Sequence, residues 1–232
     1  MRVGVIVFPG SNGDIDVYHF FKDGMQIQVE YIWHKERNLR NTDLVVLPGG
    51  FSYGDYLRPG AIARHTTVMS AVEEHASRGG LVLGICNGFQ ILTEAGMLPG
   101  GFLRNHHLQF RCQFTPIRVE NRHSPFTGGI KPGRVLHLPV ANGDGNYFLD
   151  SANIQKLEDK NQIVFRYTDF QGKSMSSNNP TGSVDNVAGV CNQKRNVLGM
   201  MPHPERAWAN DMGGRDGLEL FHSLLNYWKG KE

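Results

Sequence analysis

The sequence predicts an α/β fold, a doubly wound and mostly parallel sheet flanked by helices, with a small mixed or antiparallel β excursion. Short apolar runs alternate along the chain with segments of helical spacing, as they do in such sheets. Glycine-rich turns follow two of these runs, at Gly49-Gly50 and at Gly84–Gly88, and the carboxyl ends of strands are where open α/β sheets place their sites. The middle of the chain, 109–140, contains β-rich pieces punctuated by Gly and Pro, which predicts the excursion.

The individual elements follow from the same patterns in chain order. Apolar runs predict strands at 2–8, 29–33, 44–47, 81–85, 163–167, 187–191 and 197–201. Helical spacing predicts helices at 14–22, 62–75 and 218–228, and a helix that opens at Phe89. Within the excursion, the strand-like pieces are 115–119 and 134–138. Segment 171–186 is rich in Ser, Asn and Gly and predicts a loop rather than a domain boundary, so we expect residues 1–232 to form one domain.

Composition and charge argue against several classes of function. Lys and Arg total 24 against 22 Asp and Glu, and the formal charge of +2 offers no electrostatic basis for binding nucleic acid or an anionic membrane surface. The apolar run at 2–8 ends at Pro9 and is too short for a signal segment or a membrane span. Three cysteines fit a reducing compartment better than a disulfide framework. We therefore expect a cytoplasmic protein that contacts no membrane.

The histidines do not form a recognisable metal site. His65 and the pair His106-His107 have no carboxylate or cysteine partners at metal-ligand spacing. Their pattern is typical of surface or packing residues. The sequence therefore predicts no metal ion in this chain.

The pentapeptide Gly84–Gly88 has the form of a nucleophile elbow with the thiol of Cys86 in place of a hydroxyl. A predicted strand precedes it and a predicted helix follows it, so Cys86 lies on the turn between them. Such a turn strains the backbone of the nucleophile, and the glycines on either side relieve the close approach of neighbouring chain. The following helix start offers free N–H groups and a positive dipole end, which favour thiolate over thiol. A buried structural cysteine remains the alternative reading of the motif taken alone.

A base for this thiol is present near the C-terminus, in Pro202-His203-Pro204-Glu205. Two prolines are expected to hold this segment extended, and residues two apart in an extended chain point to the same side. His203 can then face the sulfur while the carboxylate of Glu205 stands behind the imidazole and orients it. Alone, the segment could also be a rigid turn. Combined with the elbow, it predicts a Cys-His-Glu triad.

These motifs resemble those of the class I (triad-type) glutamine amidotransferases. Within that family the chain is similar to the glutaminase subunits that serve phosphoribosylformylglycinamidine synthase in purine biosynthesis. The narrower resemblance is carried by 5–12, 47–63 and 196–207, of which the stretch from Phe51 to Ala63 is characteristic of that subfamily. It covers essentially the whole chain and implies the flavodoxin-like version of the predicted fold.

The resemblance also implies roles for residues around Cys86. The backbone N–H groups of Gly50 and Asn87 would form the oxyanion hole, and Gln90 would lie in the glutamine pocket. Gly143 would contact the backbone of the substrate. The loop at 141–145 departs from the family pattern, which has a histidine where Asn142 stands and a glutamate where Asp144 stands. The departure touches no member of the triad.

The activity that the resemblance implies is hydrolysis of L-glutamine through a cysteine thioester. The ammonia would pass to a large synthetase subunit, which converts formylglycinamide ribonucleotide to its amidine, in a complex that also holds a small accessory subunit. No synthetase domain fits in 232 residues, so ATP and Mg belong to the partner and this chain needs no cofactor.

Two other functions remain possible at this point. The chain could be a thiol hydrolase of the same family, including a glutaminase that serves a different synthetase, although the stretch from Phe51 to Ala63 argues against it. It could also be a non-catalytic regulatory subunit of the same fold. The presence of Cys86, His203 and Glu205 together argues against that second possibility.

Overall fold

The computed structural model describes residues 1–230, and their strands form two sheets. The strands are β1 (Arg2–Val7), β2 (Gln28–Trp33), β3 (Leu44–Leu47), β4 (Leu81–Ile85), β5 (Gly101–Leu103), β6 (Arg111–Val119), β7 (Val135–Asn142), β8 (Asn146–Phe148), β9 (Ile163–Tyr167), β10 (Val187–Cys191) and β11 (Val197–Met200). The α-helices are α1 (Asp14–His19), α2 (Thr67–Ser77), α3 (Asn87–Glu94), α4 (Ser151–Asp159) and α5 (Gly217–Lys229). The large sheet has nine strands, and β5 pairs with β8 in a separate two-stranded sheet.

The strand order of the large sheet confirms the predicted fold class. From one edge to the other the order is β2-β1-β3-β4-β11-β10-β9-β6-β7. The first five strands are parallel, and each later strand is antiparallel to the one before it. The excursion predicted for the middle of the chain supplies β6 and β7. These strands extend the same sheet, because β6 pairs with β9 through main-chain hydrogen bonds.

Burial along the strands follows their position in the sheet. Every residue of β3, β4, β11, β10 and β9, the five neighbouring central strands, is buried. These are strands that the sequence marks as apolar runs, as expected where a sheet is covered on both faces. The edge strand β7 instead alternates between partly exposed and buried residues. One face of that edge is therefore open to solvent.

Two helical predictions differ from the structure in their details, and one helix has no counterpart among the predictions. The segment 62–75 divides at Thr66, whose hydroxyl donates to the carbonyl of Ala63 at 2.7 Å and closes a 3₁₀ turn before α2 begins. The segment 14–22 is α-helical up to His19 and continues as a π turn, Phe20–Gly24, that buries two adjacent phenylalanines. Helix α4 was not predicted, because it is largely polar. The side chain of Asp150 caps it by accepting the N–H of Asn153 at 3.0 Å.

The topology brings the chain segments that follow several strands to one edge of the sheet. The carboxyl ends of the parallel strands β1, β3, β4 and β11 share this edge. Strands β9 and β7 run in the same direction as these strands, because β10 and β6, next to them in the sheet, run the opposite way. The carboxyl ends of β9 and β7 therefore lie at the same edge. Sites of open α/β folds lie at such an edge. Gly49-Gly50 follows β3, Cys86 follows β4, and His203 comes three residues after β11.

The close packing of β11 against α3 gives a test of the fold. A Cβ at Gly199 would lie 2.1 Å from Cδ2 of Phe89, which is fully buried. We expect Gly199→Ala to reduce the free energy of unfolding by about 1–3 kcal/mol, because overpacking forces a buried ring to move. Urea denaturation measures the change. Gly214→Ala is the matched control, since nothing lies within 4 Å of a Cβ at that position. Equal stability of the two variants would contradict this packing.

Candidate active site

Cys86 occupies the predicted strained turn between β4 and α3. Its backbone has φ 51° and ψ −105°, a conformation that residues other than glycine rarely adopt. A Cβ at Gly88 would lie 1.9 Å from the carbonyl oxygen of Leu47, and one at Gly84 would lie 2.5 Å from Cδ1 of Leu92. The expected reason for the two glycines is confirmed. The N–H of Cys86 donates to the carbonyl of Met200 at 2.8 Å, which ties the turn to the end of β11.

His203 and Glu205 form a buried pair at the same edge. Nδ1 of His203 lies 2.6 Å from Oε1 of Glu205, and the two side chains are 2% and 0% exposed. The carboxylate therefore stands behind the imidazole as predicted. The expected extended backbone is wrong: Pro204–Arg206 is a 3₁₀ turn, closed by the N–H of Ala207 on the carbonyl of Pro204 at 3.1 Å. Proline favours the first position of such a turn, since no hydrogen bond there needs its missing N–H.

The imidazole lies beside the thiol. A Cβ at Gly49 would come within 2.7 Å of Cε1 of His203 and 3.6 Å of the Cβ of Cys86, so both side chains border the same glycine. Nε2 of His203 is buried and has no hydrogen-bond partner among the described residues, while Sγ of Cys86 lies 3.7 Å from the carbonyl oxygen of Ala141. Nε2 is the ring nitrogen left available for a proton from the sulfur.

The surroundings of His203 favour its charged form. Burial by itself lowers the pKa of the imidazole, but the negative charge of Glu205 and the interaction with Cys86 raise that pKa to about 10. An imidazolium beside a sulfur stabilises a thiolate. The arrangement therefore places a positive charge beside the sulfur of Cys86.

The two backbone donors expected for an oxyanion belong to Asn87, the residue after Cys86, and to Gly50, the residue after the glycine that borders Cys86. Gly50 has φ 134°, and a Cβ there would lie 2.6 Å from the nitrogen of Asn12, so the position requires glycine. The residues on either side of Gly50 are paired: the N–H of Phe51 donates to the carbonyl of Gly10, and the carbonyl of Gly49 accepts the N–H of Gly13. The N–H of Gly50 itself has no main-chain acceptor within residues 1–230. Asn87 is the first residue of α3, and its N–H has no intrahelical acceptor.

Gln90 connects α3 to the loop after β7. Its side chain is 4% exposed, and Nε2 donates to the carbonyl oxygen of Asp144 at 2.7 Å. The same loop is held from the other side by Asn105, whose N–H donates to the carbonyl of Gly143 at 2.8 Å and whose Oδ1 accepts the N–H of Gly145 at 2.9 Å. Gln90 and Gly143 thus lie in one small region beside the elbow. The sequence contains no motif that would have indicated Asn105.

The side chain of Asn87 is also fully engaged. Its Oδ1 accepts the N–H of Ser52 at 3.0 Å, and its Nδ2 donates to Oδ1 of Asp55 at 3.0 Å and to Oε1 of Gln90 at 2.9 Å. Burial raises the pKa of Asp55 to about 6, with the Asn87 hydrogen bond acting against this and the charge of Asp144 adding to it. No local pattern in the sequence indicates a role for Ser52 or Asp55, because their common partner, Asn87, is 32 or more residues away.

Arg206 was likewise given no role from the sequence. Its Nε lies 2.8 Å from Oδ2 of Asp16 and 3.8 Å from Oε1 of Glu205. Asp16 lies in the first turn of α1, so this ion pair joins the start of the chain to the segment that carries the imidazole. The guanidinium adds a positive charge beside Glu205.

Neither a metal cluster nor a membrane helix is present in the described part of the chain. Within residues 1–230, no three or more His, Cys, Asp or Glu side chains are grouped so that they could hold a metal ion. No helix in this range is long and apolar enough to cross a bilayer.

Comparison with known proteins shows which family this chain resembles. Residues 1–220 match the family model of the CobB/CobQ-like glutamine amidotransferase domain. The chain is 52% identical over 232 residues to phosphoribosylformylglycinamidine synthase subunit PurQ of Moorella thermoacetica, covering 100% of this chain and 98% of that protein. It is 50% identical over 230 residues to the subunit of the same name from Alkaliphilus metalliredigens, covering 99% and 98%.

A solved structure agrees with these relatives. A chain in the structure of PurLQS from Thermotoga maritima superimposes with a TM-score of 0.86 at 39% identity, covering 98% of each chain. The matches extend over nearly the full length of the relatives as well as of this chain. The chain belongs to the family of CobB/CobQ-like glutamine amidotransferases, and within it to the PurQ type.

Proposed function

We propose that this chain is the glutaminase subunit of a phosphoribosylformylglycinamidine synthase. It hydrolyses L-glutamine to glutamate and ammonia and delivers the ammonia to a separate synthetase subunit in purine biosynthesis. The observation that carries the proposal is the placement of Cys86 beside a buried His203–Glu205 pair, in a chain about half identical to subunits of that name. Residues 1–232 act as one amidotransferase domain, in the cytoplasm.

The first half of the reaction forms a thioester. The thiol proton of Cys86 moves to Nε2 of His203, and Sγ attacks the side-chain amide carbon of glutamine. The N–H groups of Gly50 and Asn87 hold the tetrahedral oxyanion, and one such donor contributes about 3 kcal/mol in comparable acyl transfers. The C–N bond then breaks, and the imidazolium returns its proton to the leaving ammonia.

The second half releases glutamate. A water molecule gives a proton to His203 while its oxygen attacks the thioester carbon, and the C–S bond breaks as the thiol is regenerated. Throughout, Glu205 holds Nδ1 and stabilises the imidazolium, in line with the raised pKa of His203. Gln90 and Gly143 line the glutamine pocket. The atoms balance as glutamine plus water giving glutamate plus ammonia.

The ammonia is consumed on other chains. A large synthetase subunit binds ATP and Mg and converts formylglycinamide ribonucleotide to formylglycinamidine ribonucleotide, and a small accessory subunit completes the complex. The solved PurLQS structure, in which one chain closely resembles this one, supports such an assembly. This chain itself uses no cofactor, because the acyl transfer needs none beyond the thiol, the imidazole and backbone donors.

Replacing Cys86 separates the two activities. In the assembled complex, Cys86→Ala should lower glutamine-dependent synthesis by about 10⁵-fold or more, as loss of a nucleophile does in triad enzymes. Ammonia-dependent synthesis should continue, because that step occurs on the partner. Product formation with each nitrogen source measures both, and Cys112→Ala, which removes an exposed thiol, is the control. Equal loss with both nitrogen sources would mean that Cys86 is structural.

Replacing Glu205 tests the third member of the triad. Glu205→Gln should lower the glutaminase rate by about 10²–10⁴-fold, less than Cys86→Ala, because nucleophile and base remain and only the charged partner is lost. The pKa of His203, followed by NMR titration, should fall, since the Glu205 charge helps to raise it. Glu219→Gln, which removes a carboxylate of α5 paired with Arg134, is the control. Wild-type activity in Glu205→Gln would reduce the triad to a Cys-His dyad.

Partner binding should switch the glutaminase on. Coupled use of ammonia requires that the partner shift a site element between inactive and competent arrangements. We assign that element to the loop from Gly50 to Gly60, which holds one oxyanion donor and exposes Phe51, Tyr56 and Leu57. Glutamine hydrolysis should rise at least about tenfold when saturating synthetase, accessory subunit and their ligands are added. A free subunit already at its full rate would refute the switch and leave the glutaminase assignment standing.

A further inference from the structure

The loop that carries Gly50 is held in a conformation that its own residues do not favour. Tyr53, Asp55 and Leu57 all have positive φ, at 56°, 51° and 71°. A residue with a side chain rarely adopts such a conformation and keeps it when surrounding contacts impose it. The identity of those contacts therefore decides where Gly50 lies.

Main-chain bonds to Pro9 and Gly10 and an ion pair of Arg58 with Glu94 hold this loop, and two further sets of side-chain hydrogen bonds reach its strained part. On one side, the hydroxyl of Tyr53 lies 2.8 Å from Nδ1 of His34, just after β2. On the other, the Asn87 side chain accepts the N–H of Ser52 and donates to Asp55, both at 3.0 Å. The second set reaches α3 directly beside Cys86, and Asn87 is 1% exposed.

The Asn87 amide has one orientation that satisfies all its partners. Its oxygen faces a main-chain N–H, and its two N–H groups face the oxygens of Asp55 and Gln90. Gln90 in turn donates to the carbonyl of Asp144. A continuous chain of hydrogen bonds thus runs from Asp55 through α3 to the loop after β7. In β7 itself, the carbonyl oxygen of Ala141 lies 3.7 Å from the sulfur of Cys86.

We infer that Asp55 is a positioning residue that sets the oxyanion hole through the side chain of Asn87. It is the acceptor at the end of the chain, and it ties the strained loop to the first residue of α3. The Gly50 N–H, five residues earlier, and the Asn87 N–H are thereby held on the same side of Cys86. This inference rests on the proposed glutaminase function and adds Asp55 to it, as a residue that acts on the reaction through Asn87.

The first test compares two substitutions of Asp55 in the assembled complex. Asp55→Ala should lower kcat for glutamine hydrolysis about ten- to a hundredfold, less than the 10²–10³-fold that complete removal of an oxyanion donor costs. KM should change by less than about threefold, because the oxyanion exists in the transition state and not in bound glutamine. Asp55→Asn keeps an acceptor oxygen for Nδ2 of Asn87 and should retain at least half the wild-type kcat.

A second readout separates positioning from general damage. Alkylation of Cys86 by iodoacetamide needs the thiolate but no oxyanion hole, so its rate should be the same in Asp55→Ala and wild type. Mass spectrometry of the Cys86 peptide follows it apart from the exposed Cys112. Asp150→Ala is the matched control, since that carboxylate likewise accepts a hydrogen bond from an asparagine side chain, Nδ2 of Asn153 at 2.6 Å, but at α4. It should leave kcat unchanged.

The outcomes distinguish this inference from the proposed function. An inactive wild-type complex would overturn the glutaminase proposal itself. With an active wild type, unchanged kcat in Asp55→Ala would overturn the role of Asp55, as would a rise in KM alone or an equal loss of alkylation rate. A kcat loss in Asp55→Asn as large as that in Asp55→Ala would also overturn it, because the acceptor would then not be what matters.

Discussion

The turn at Cys86 is the constraint on which the rest of the site depends. A positive φ at a residue with a side chain is unfavourable, and it is maintained here because α3 packs so closely on the sheet that Gly88 touches the carbonyl of Leu47. This packing holds Cys86 on the turn and leaves the N–H groups of Asn87 and Gly88, at the start of α3, without main-chain acceptors among residues 1–230. A looser contact between helix and sheet would let the turn relax and would lose both features together.

The turn at Cys86 becomes part of a site because the sheet brings other chain segments to the same edge. Main-chain hydrogen bonds in the sheet determine the position of the glycines after β3 and of His203 after β11, and β4 lies between those two strands. The antiparallel strands add the loop after β7, held by Gln90 and Asn105. The reacting groups therefore come from separate stretches of sequence yet rest on one rigid frame, which favours precise positioning.

The buried pair of His203 and Glu205 serves the reaction and does not stabilise the fold. Removing an ion pair from water costs several kcal/mol per charge, and a good hydrogen bond recovers only part of it. Nε2 of His203 and Oε2 of Glu205 are left without hydrogen-bond partners among residues 1–230. Unpaired buried groups of this kind are tolerated where they serve a reaction. The positive charge of Arg206, 3.8 Å from Glu205, lessens the penalty for the carboxylate.

The sequence by itself determined the features that depend on local pattern. Apolar runs identified the strands of the sheet, and the glycines around Cys86 identified the turn, because both arise from neighbouring residues. Tertiary structure decided the partners of long side chains: Asp55 meets Asn87, and Arg206 meets Asp16, across 32 and 190 residues. It also decided that Pro204–Arg206 closes a 3₁₀ turn, and that β6 and β7 extend the main sheet. No local signal carries these contacts, since their energy exists only once distant segments have packed together.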